Sequence, residues 1–402
     1  MAGAALCLDL TRLLSRVGLG PLTGVDRVER AYADWVLAVD PDPRFLVRTS
    51  RGYLICGADG ARAFLQALDA GGPWGKPDFL SRLTGKAANP RHAAEALLRR
   101  HALARCLPGG LLPRLSDHLR EDTVYLNTGH SNLSEHTLAA VQALPDLRAA
   151  VFIHDLIPLE HPEYSSPGFP AHFAQMLTQV MTRADLILCN SQDTAERLRG
   201  RFVDAPPVLP AHLGVPAPAR PEPLAFDKDV PRFVALGTIE PRKNHALLLD
   251  VWEKLPEATR PHLHIVGRRG WADAALLDRL DSHPLRNIAI FEHEGLSDGQ
   301  VRTLLTGAHG LLFPTHAEGF GLPAVEAAQL GTLPICADLP VLREILGDYA
   351  VYLDPLNAYS WMETIKKRSA VSLAAESVAE FRVPTWAEHF RTVEAALWPG
   401  RQ

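Results

Sequence analysis

The sequence predicts an α/β protein with two Rossmann-like domains that face each other across a cleft. A chain of 402 residues is long enough for two domains. Apolar runs of strand length alternate with amphipathic segments of helix length, which is typical of parallel sheets covered by helices on both faces. The stretch 205–231 contains eight prolines. Because proline breaks helices and central strands, we interpret this stretch as an interdomain linker.

The linker divides the chain into an N-terminal domain, 1–215, and a C-terminal domain, 230–383. The final segment, 384–402, is expected to pack back on the N-terminal domain as a helix over Trp386–Trp398. Residues 68–110 are rich in glycine, proline and basic residues, and their structure stays open. Strands are predicted at Ala4–Asp9, Thr123–Asn127, Ala149–His154, Leu186–Asn190, Phe233–Gly237, His262–Val266, Ile288–Phe291, Gly310–Phe313, Leu333–Ala337 and Ala350–Leu353.

Composition excludes several classes of protein. The formal net charge of −5 argues against non-specific nucleic-acid binding, which depends on positive charge. The five cysteines are scattered and form no CxxC pair, so a disulfide scaffold or a structural zinc site is not expected. No apolar run reaches the roughly 18 residues of a membrane span. We expect a cytoplasmic protein, and peripheral contact with the inner face of the membrane stays open.

Two cations lie between a strand end and a helix start in the second half. Arg242 and Lys243 follow a strand that ends at Gly237, and Asn244 is a good N-cap for the helix after them. Open parallel sheets bind ligands at this edge, and two cations beside a helix N-terminus suit a diphosphate. A solvated basic turn is the alternative. The next strand ends at Gly267, where the absence of a side chain lets a ligand approach the backbone.

A glycine-containing loop supplies the strongest local signal. It runs from Glu318 through Phe320, Gly321 and Leu322, and Glu326 lies about one turn into the following helix, with Pro323 expected at the first helical position. Two carboxylates on different elements provide acceptors for a ligand with several hydroxyl groups, and the free amides suit phosphate. The alternative is an ordinary loop before a glutamate that the helix dipole favours.

No metal or nicotinamide site is predicted. Asp40-Pro41-Asp42 and Asp227-Lys228-Asp229 match an Asp-x-Asp metal motif, but they lie in proline-flanked loops, so we expect surface acids. Gly18, Gly20 and Gly24 miss the dinucleotide-binding spacing by one residue. His262 and His264 are expected to be packing or surface residues.

Glu318-x7-Glu326, preceded by the sequence from Gly237 to Asn244, resembles glycosyltransferase family 4, a family of retaining enzymes with the GT-B fold. The resemblance is thinner in the first half. It includes Thr23-Gly24-Val25-Asp26-Arg27-Val28 and His154-Asp155-Leu156-Ile157-Pro158, the latter similar to mannosyltransferase-like members. It covers most of the chain except about 50–120.

The resemblance implies a role for each candidate residue. Arg242 and Lys243 would neutralise the donor diphosphate, and His154 would contact the transferred sugar. Glu318 and the amides near Gly321 would hold that sugar, and Glu326 would accept hydrogen bonds from the ribose. The remaining substrate-binding candidates come close to the donor through backbone or apolar contact: Gly24, Gly237, Gly267, Phe320 and Leu322. The first glycine loop is longer than the usual Gly-Gly loop, which leaves the contact made by Gly24 open.

The implied activity is retaining, metal-independent transfer of a sugar from a nucleotide-sugar donor to a saccharide or lipid-linked glycan, as in bacterial surface polysaccharide synthesis. Mannose from GDP-mannose is favoured, and no cofactor is expected besides the donor substrate. Two alternatives from other classes stay open. One is a sugar-nucleotide epimerase or glycan phosphorylase, and the other is a non-catalytic subunit that binds nucleotide sugars.

Overall fold

The computed structural model describes residues 5–76, 78, 89–270, 274–373 and 380–399. The strands are β1 (Leu6–Asp9), β2 (Arg44–Thr49), β3 (Gly52–Cys56), β4 (Ala102–Cys106), β5 (Val124–Asn127), β6 (Arg148–Ile153), β7 (Leu186–Cys189), β8 (Val208–Pro210), β9 (Arg232–Leu236), β10 (His262–Val266), β11 (Ile290–His293), β12 (Gly310–Phe313), β13 (Pro334–Ala337) and β14 (Val351–Leu353).

Helices cover these strands in the order expected for α/β domains. They are α1 (Thr11–Arg16), α2 (Gly24–Val39), α3 (Ala58–Asp69), α4 (Pro90–His101), α5 (Leu111–His118), α6 (Glu135–Gln142), α7 (Ile157–Glu160), α8 (Phe169–Arg183), α9 (Gln192–Arg201), α10 (His245–Lys254), α11 (Ala274–Ser282), α12 (Asp298–Leu305), α13 (Leu322–Gln329), α14 (Pro340–Leu346), α15 (Ala358–Ser369) and α16 (Trp386–Leu397).

The strands form two sheets. The first has the order β4-β3-β2-β1-β5-β6-β7-β8, and its strands from β2 onward in that order are parallel. The second is wholly parallel, with the order β11-β10-β9-β12-β13-β14. In chain order the sheet extends from β9 toward β11 and then, in the opposite direction, from β12 toward β14. Open α/β sheets bind ligands at the point where this direction reverses, which here lies between β9 and β12. The two-domain α/β class predicted from the sequence is confirmed.

Burial explains why the central strands were recognisable. Every residue of β1, β5, β12 and β13 is buried, so these strands are continuous apolar runs without an exposed polar face. β2, β3 and β4 were not predicted: β2 has arginine at Arg44 and Arg48, and β4 alternates in exposure. β3 is buried throughout, so burial does not explain why it was missed. β2–β3 and β3–β4 pair antiparallel at one edge of the first sheet.

The stretches left open or read as loops contain regular structure. The segment 68–110 includes α4, β4 and the end of α3, while residues 77 and 79–88 lie outside the described residues. The proline-rich stretch contains β8, which pairs with β7 at the sheet edge. Edge strands tolerate proline because one side of the strand needs no ladder hydrogen bonds.

The expectation that Asp40 is a surface acid is wrong. Its side chain is buried, accepts a hydrogen bond from the Leu6 amide at 2.8 Å and forms an ion pair with Arg120 at 2.6 Å. A carboxylate tolerates such burial when a cation and an amide satisfy it. Asp227 and Asp229 are exposed.

The last helix, α16, packs against α2 of the first domain. Phe390 stacks on Trp35 with ring centroids 4.8 Å apart, and the Tyr32 hydroxyl lies 2.9 Å from Nε2 of His389. Gly214 at the end of the first domain touches the start of α16, since a Cβ there would lie 2.1 Å from the Trp386 nitrogen. Among the described residues, no helix is long and apolar enough to cross a membrane.

Candidate active site

The candidate site lies where loops at the carboxyl ends of the two sheets meet. The loop after β12 carries Glu318 and Gly319, and it contacts the first domain at the end of β6. A Cβ on Gly319 would lie 2.3 Å from the carbonyl oxygen of His154 and 3.1 Å from Cβ of Asp155. The predicted residues of the two halves therefore come together at one place.

Arg242, Lys243 and Glu318 form a compact charged cluster. Both cations pair with Oε1 of Glu318: Nη1 of Arg242 lies 2.9 Å away, and Nζ of Lys243 donates a hydrogen bond to it. Thr315 Oγ1 donates to the same oxygen at 3.0 Å, and Arg242 also pairs with Glu240. The cations thus have protein partners whose charge a ligand phosphate can replace.

Electrostatics keep this cluster ionised. Burial opposes the charge of Glu318, but Arg242 and Lys243 outweigh it and lower the pKa of the carboxyl group. Burial lowers the pKa of Lys243, and Glu318 opposes that shift. Burial raises the pKa of Asp155, and the charge of Arg242 from the other domain opposes that shift. Two cations compensated by nearby acids suit a site that receives a dianionic group.

Local geometry places the two cations. Pro241–Lys243 forms a single 3₁₀ turn between β9 and α10. Asn244 occupies the N-cap position of α10, as expected, but its side chain makes no cap hydrogen bond: the residue is left-handed, φ 55° and ψ 41°, and its side chain donates to the Pro355 carbonyl at 2.9 Å. Asparagine tolerates this conformation better than most residues.

The glycines at the strand ends permit close backbone approach. Gly267 has φ 155°, and a Cβ there would lie 2.0 Å from the carbonyl oxygen of Gly237. Gly237 itself lies beside the Lys243 side chain. The two strand ends are therefore packed so tightly that only glycine fits at Gly267.

The loop after β12 leads directly into α13. Gly321 precedes the helix with φ 87°, and a Cβ there would lie 2.5 Å from the Leu342 side chain. Leu322 occupies the first helical position, so the expectation for Pro323 is off by one and proline takes the second. Phe320 is buried with its ring edge toward His212, which makes it an anchor of the loop.

Glu326 meets the first domain one turn into α13. Its Oε1 lies 2.6 Å from Nη1 of Arg27 on α2, and both side chains are partly exposed. Gly24 is the first residue of α2, and a Cβ there would lie 3.5 Å from Leu322. The amino-terminal ends of α2 and α13 thus face each other. Arg27 was not singled out from the sequence, although it lies within the motif quoted for Gly24.

His154 lies at the end of β6 and is buried. Its Nε2 donates to the Thr128 carbonyl at 2.7 Å. Burial, with the neighbouring His130, lowers the pKa of His154 to about 3, so the ring is neutral at physiological pH. A neutral imidazole whose Nε2 carries the proton offers Nδ1 as an acceptor.

Further cross-domain contacts were not expected from the sequence. Ser191 Oγ donates to the Gly319 carbonyl at 3.2 Å. The rings of Tyr164 and His316 stack nearly parallel, 3° apart, with centroids separated by 5.7 Å. Sequence patterns hold no signal for such pairs, because the partners lie more than 120 residues apart.

Glu344 joins the domains through the start of α9. Its carboxylate accepts hydrogen bonds from the amides of Gln192 at 2.7 Å and Asp193 at 2.9 Å, and from His212 at 2.6 Å. The first helical amides lack partners within their own helix, so a carboxylate is well placed there. This contact fixes the relative position of the two domains near the site.

Among the described residues, no group of three or more His, Cys, Asp or Glu side chains could hold a metal ion. The arrangement offers cations for an anionic group, a neutral imidazole and carboxylates for hydroxyl groups.

Residues 218–370 match the family described as Glycosyl transferases group 1. The second domain is therefore similar to this family. The match spans the linker end, both cations of the candidate site and both glutamates of the loop and helix.

Two of the proteins to which the chain is similar are named as bacterial mannosyltransferases. The chain is 34% identical over 224 residues to the serotype-specific mannosyltransferase WbdA of Escherichia coli, a match that covers 51% of this chain and 28% of that protein. It is 31% identical over 135 residues to the O-antigen chain mannosyltransferase RfbU of Salmonella typhimurium, covering 33% of this chain and 37% of the relative. The chain thus spans only about a third of the length of these relatives.

Solved structures with a similar fold cover nearly the whole chain. Sucrose-phosphate synthase from Thermosynechococcus elongatus has a TM-score of 0.60 at 14% identity, with 97% of this chain and 94% of that chain covered. The lipopolysaccharide outer core galactosyltransferase WaaB has a TM-score of 0.59 at 13% identity, with 98% of both covered. At such identities the likeness establishes the fold alone. That fold is GT-B, as the sequence predicted.

Proposed function

We propose that this protein is a retaining glycosyltransferase that moves mannose from a nucleotide sugar to a saccharide or lipid-linked glycan in bacterial surface polysaccharide synthesis. The observation that carries the proposal is the charged cluster of Arg242, Lys243 and Glu318, packed against the backbone of His154 across the two domains. A nucleoside diphosphate bound to the cations would have its sugar beside that histidine.

Catalysis in this proposal is chiefly electrostatic. Arg242 and Lys243 stabilise the charge that develops on the diphosphate as the bond from the anomeric carbon to phosphate oxygen breaks. The acceptor oxygen forms its bond to the same carbon from the same face. Its proton passes to an oxygen of the departing phosphate, so the configuration is kept and no protein nucleophile is required.

The assignment of mannose as the donor sugar rests on fewer observations. Two relatives of the chain are named mannosyltransferases. The sequence from His154 to Tyr164 also resembles a pattern of mannosyltransferase-like enzymes. Nδ1 of the neutral His154 would accept a hydrogen bond from a sugar hydroxyl. GDP is the favoured nucleotide. Peripheral contact with the inner membrane face would bring a lipid-linked acceptor to the cleft.

Metal independence follows from the same cations. Arg242 and Lys243 provide two positive charges where a divalent ion would otherwise neutralise the leaving group. Transfer is therefore expected to continue in excess chelator. Loss of activity that manganese restores would contradict this part of the proposal.

The deciding experiment is a screen of nucleotide sugars with the purified chain and a panel of saccharide acceptors, followed by proton NMR of the first product. We expect transfer of mannose with the α-configuration of the donor retained. Release of an altered nucleotide sugar without any acceptor would indicate an epimerase. Dependence on a pyridoxal cofactor would indicate a phosphorylase, and donor binding without turnover a non-catalytic subunit. An inverted product would contradict the retaining mechanism.

A further inference from the structure

The loop after β5, residues 127–132, has an unusual backbone at the cleft edge of the first sheet. His130 and Asn132 both have positive φ, 56° and 64°. Between them and the strand, Gly129 is wedged so tightly that a Cβ would lie 2.2 Å from Oε2 of Glu29 and 2.3 Å from Cβ of Arg12. Strained backbone persists only where the surroundings enforce it, and it clusters at functional sites.

Hydrogen bonds hold this loop in place. Nδ2 of Asn132 donates to Asp9 at 2.7 Å, and Nδ2 of Asn127 donates to the Ser131 carbonyl at 2.8 Å. Asp9 is itself buried and also accepts from the Tyr125 hydroxyl at 2.9 Å. The loop is therefore a rigid element, which suits a binding surface better than a mobile one.

His130 and His154 are joined by reciprocal hydrogen bonds between neighbouring strand ends. Nε2 of His130 donates to the Phe152 carbonyl on β6 at 2.9 Å, and Nε2 of His154 donates to the Thr128 carbonyl after β5 at 2.7 Å. A carbonyl oxygen only accepts, so each Nε2 carries the proton and each Nδ1 keeps its lone pair while the ring is neutral. The ring centroids are 5.0 Å apart.

Charge and partners favour a hydroxyl-bearing ligand for these rings. Burial lowers the pKa of His130 to about 4, so the ring stays neutral alongside His154. No described group hydrogen-bonds either Nδ1. In the same loop, Oγ1 of Thr128 and Oδ1 of Asn127 are buried and also lack partners among the described residues. A saccharide hydroxyl is a donor that matches an acceptor nitrogen such as Nδ1 of His130.

His130 and His154 contact different parts of the protein. His154 touches the loop of Glu318 through its carbonyl oxygen, whereas the ring of His130 lies against Phe173 of α8, with centroids 5.9 Å apart, inside the first domain. The ring of His130 therefore contacts the first domain, whereas the charged cluster lies on the second. Resting on the proposed function, we infer that Nδ1 of His130 binds a hydroxyl group of the acceptor saccharide.

The test compares acceptor kinetics of His130→Gly with wild type, using the favoured mannosyl donor and a mannobiose acceptor. Glycine adopts the positive φ at this position, so the ring is removed with little backbone strain. One neutral hydrogen bond corresponds to a change of about 2- to 12-fold. We expect the KM for mannobiose to rise by that factor, with donor KM and nucleoside diphosphate affinity unchanged. His130→Asn carries an acceptor oxygen at the same distance from the backbone as Nδ1 and should recover part of the loss.

A matched control is His172→Asn. His172 lies on α8 next to Phe173, and the side chain of His172 is exposed. This variant should leave all constants unchanged. If the His130 variant reduced mannobiose transfer and acceptor-free hydrolysis of the donor by the same factor, the assignment would be overturned, because His130 would then act through His154. An unchanged KM for mannobiose in His130→Gly would overturn it as well. Wild-type protein that neither binds nor glycosylates mannobiose would instead overturn the saccharide acceptor of the proposed function, and the assignment with it.

Should His130→Gly fail to fold, as judged by thermal unfolding, NMR of the wild-type protein decides the assignment. In ¹⁵N spectra, mannobiose binding to the nucleoside diphosphate complex should shift Nδ1 of His130. Binding that leaves that resonance unchanged would overturn the assignment.

Discussion

Arg27 of the first domain and Glu326 of the second are joined by an ion pair, with Nη1 and Oε1 2.6 Å apart. Glu326 is the carboxylate proposed to bind the donor ribose, so it has a cationic partner from the opposite domain before any donor arrives. A carboxylate has about four lone-pair positions. The ribose hydroxyls and Arg27 can therefore share it, and donor binding then links the two domains through one side chain.

Replacing Glu326 should weaken donor binding more than turnover. Its proposed partner is remote from the breaking bond, and loss of a contact made equally in ground and transition states raises KM with little change in kcat. A hydrogen bond to a charged group corresponds to about 10- to 150-fold. Glu326→Gln should therefore raise the donor KM and the Kd for nucleoside diphosphate by about that factor. Calorimetry and initial rates check it, and unchanged Kd would remove the ribose assignment.

Replacing Glu318 should do the reverse. It holds Arg242 and Lys243 and is proposed to bind the sugar that becomes charged in the transition state, so Glu318→Gln should lower kcat by about 10-fold or more. Nucleoside diphosphate lacks the sugar, and loss of a carboxylate beside two cations does not disfavour an anion. Its affinity should be unchanged or higher. If calorimetry found it weakened while Glu326→Gln kept wild-type affinity, the two roles would have to be exchanged.

A single methyl group at Gly319 should disable the site without unfolding the protein. A Cβ would lie 2.3 Å from a backbone oxygen, the His154 carbonyl, so the loop must shift and carry Glu318 with it. A displacement of about 1 Å can cost about 100-fold in rate. We expect Gly319→Ala to lower kcat/KM by that order, while thermal unfolding shows a folded protein.

The control for that change is Gly200→Ala near the end of α9, where no atom lies within 4 Å of the added Cβ. It should retain wild-type kinetics, because alanine is the better helix former and meets nothing. Gly319→Ala with wild-type kcat/KM would mean that the contact between the two domains is not needed for transfer.

The elements that the sequence predicted well are those buried on both faces. β12, for example, is a continuous apolar run, so its position and bounds agree with the prediction. The strands that were missed, such as β2 and β4, carry arginines and lie toward one edge of the sheet, where neither apolar continuity nor strict alternation marks a strand. Asp40 was misjudged because its partner Arg120 lies 80 residues away.

The candidate site likewise has a part that the sequence predicted and a part that it did not. Arg242, Lys243 and Glu318 could be placed at a common edge because each follows a strand end in one sheet. The contribution of the opposite domain, as in Arg27 with Glu326 and Gly319 against His154, depends on how two separate sheets meet. Nothing in local spacing encodes that meeting, which is why the contacts of Arg27, Glu344 and His130 emerged only from the structure.

Stability should fall in mild acid, because several buried histidines resist protonation in the folded protein. His389 on α16 accepts from the Tyr32 hydroxyl and donates to the His212 carbonyl, and burial lowers its pKa from 6.5 to about 4. Burial lowers the pKa of these others as well: His130, His154, His245 and His264.

The sign follows from proton uptake. Between pH 6.5 and about 4 the unfolded chain binds a proton at His389 that the folded protein does not, so the free energy of unfolding decreases as the pH falls. One such histidine corresponds to about 2 kcal/mol between pH 7.5 and pH 5. Urea unfolding at these two pH values measures the difference. His389→Gln should be less stable than wild type at pH 7.5, yet it should lose about 2 kcal/mol less on acidification, whereas His172→Gln, changed at an exposed position, should follow wild type. An equal acid loss in wild type and His389→Gln would mean that α16 stays docked with His389 protonated, and the buried contact with Tyr32 would not control the pH dependence.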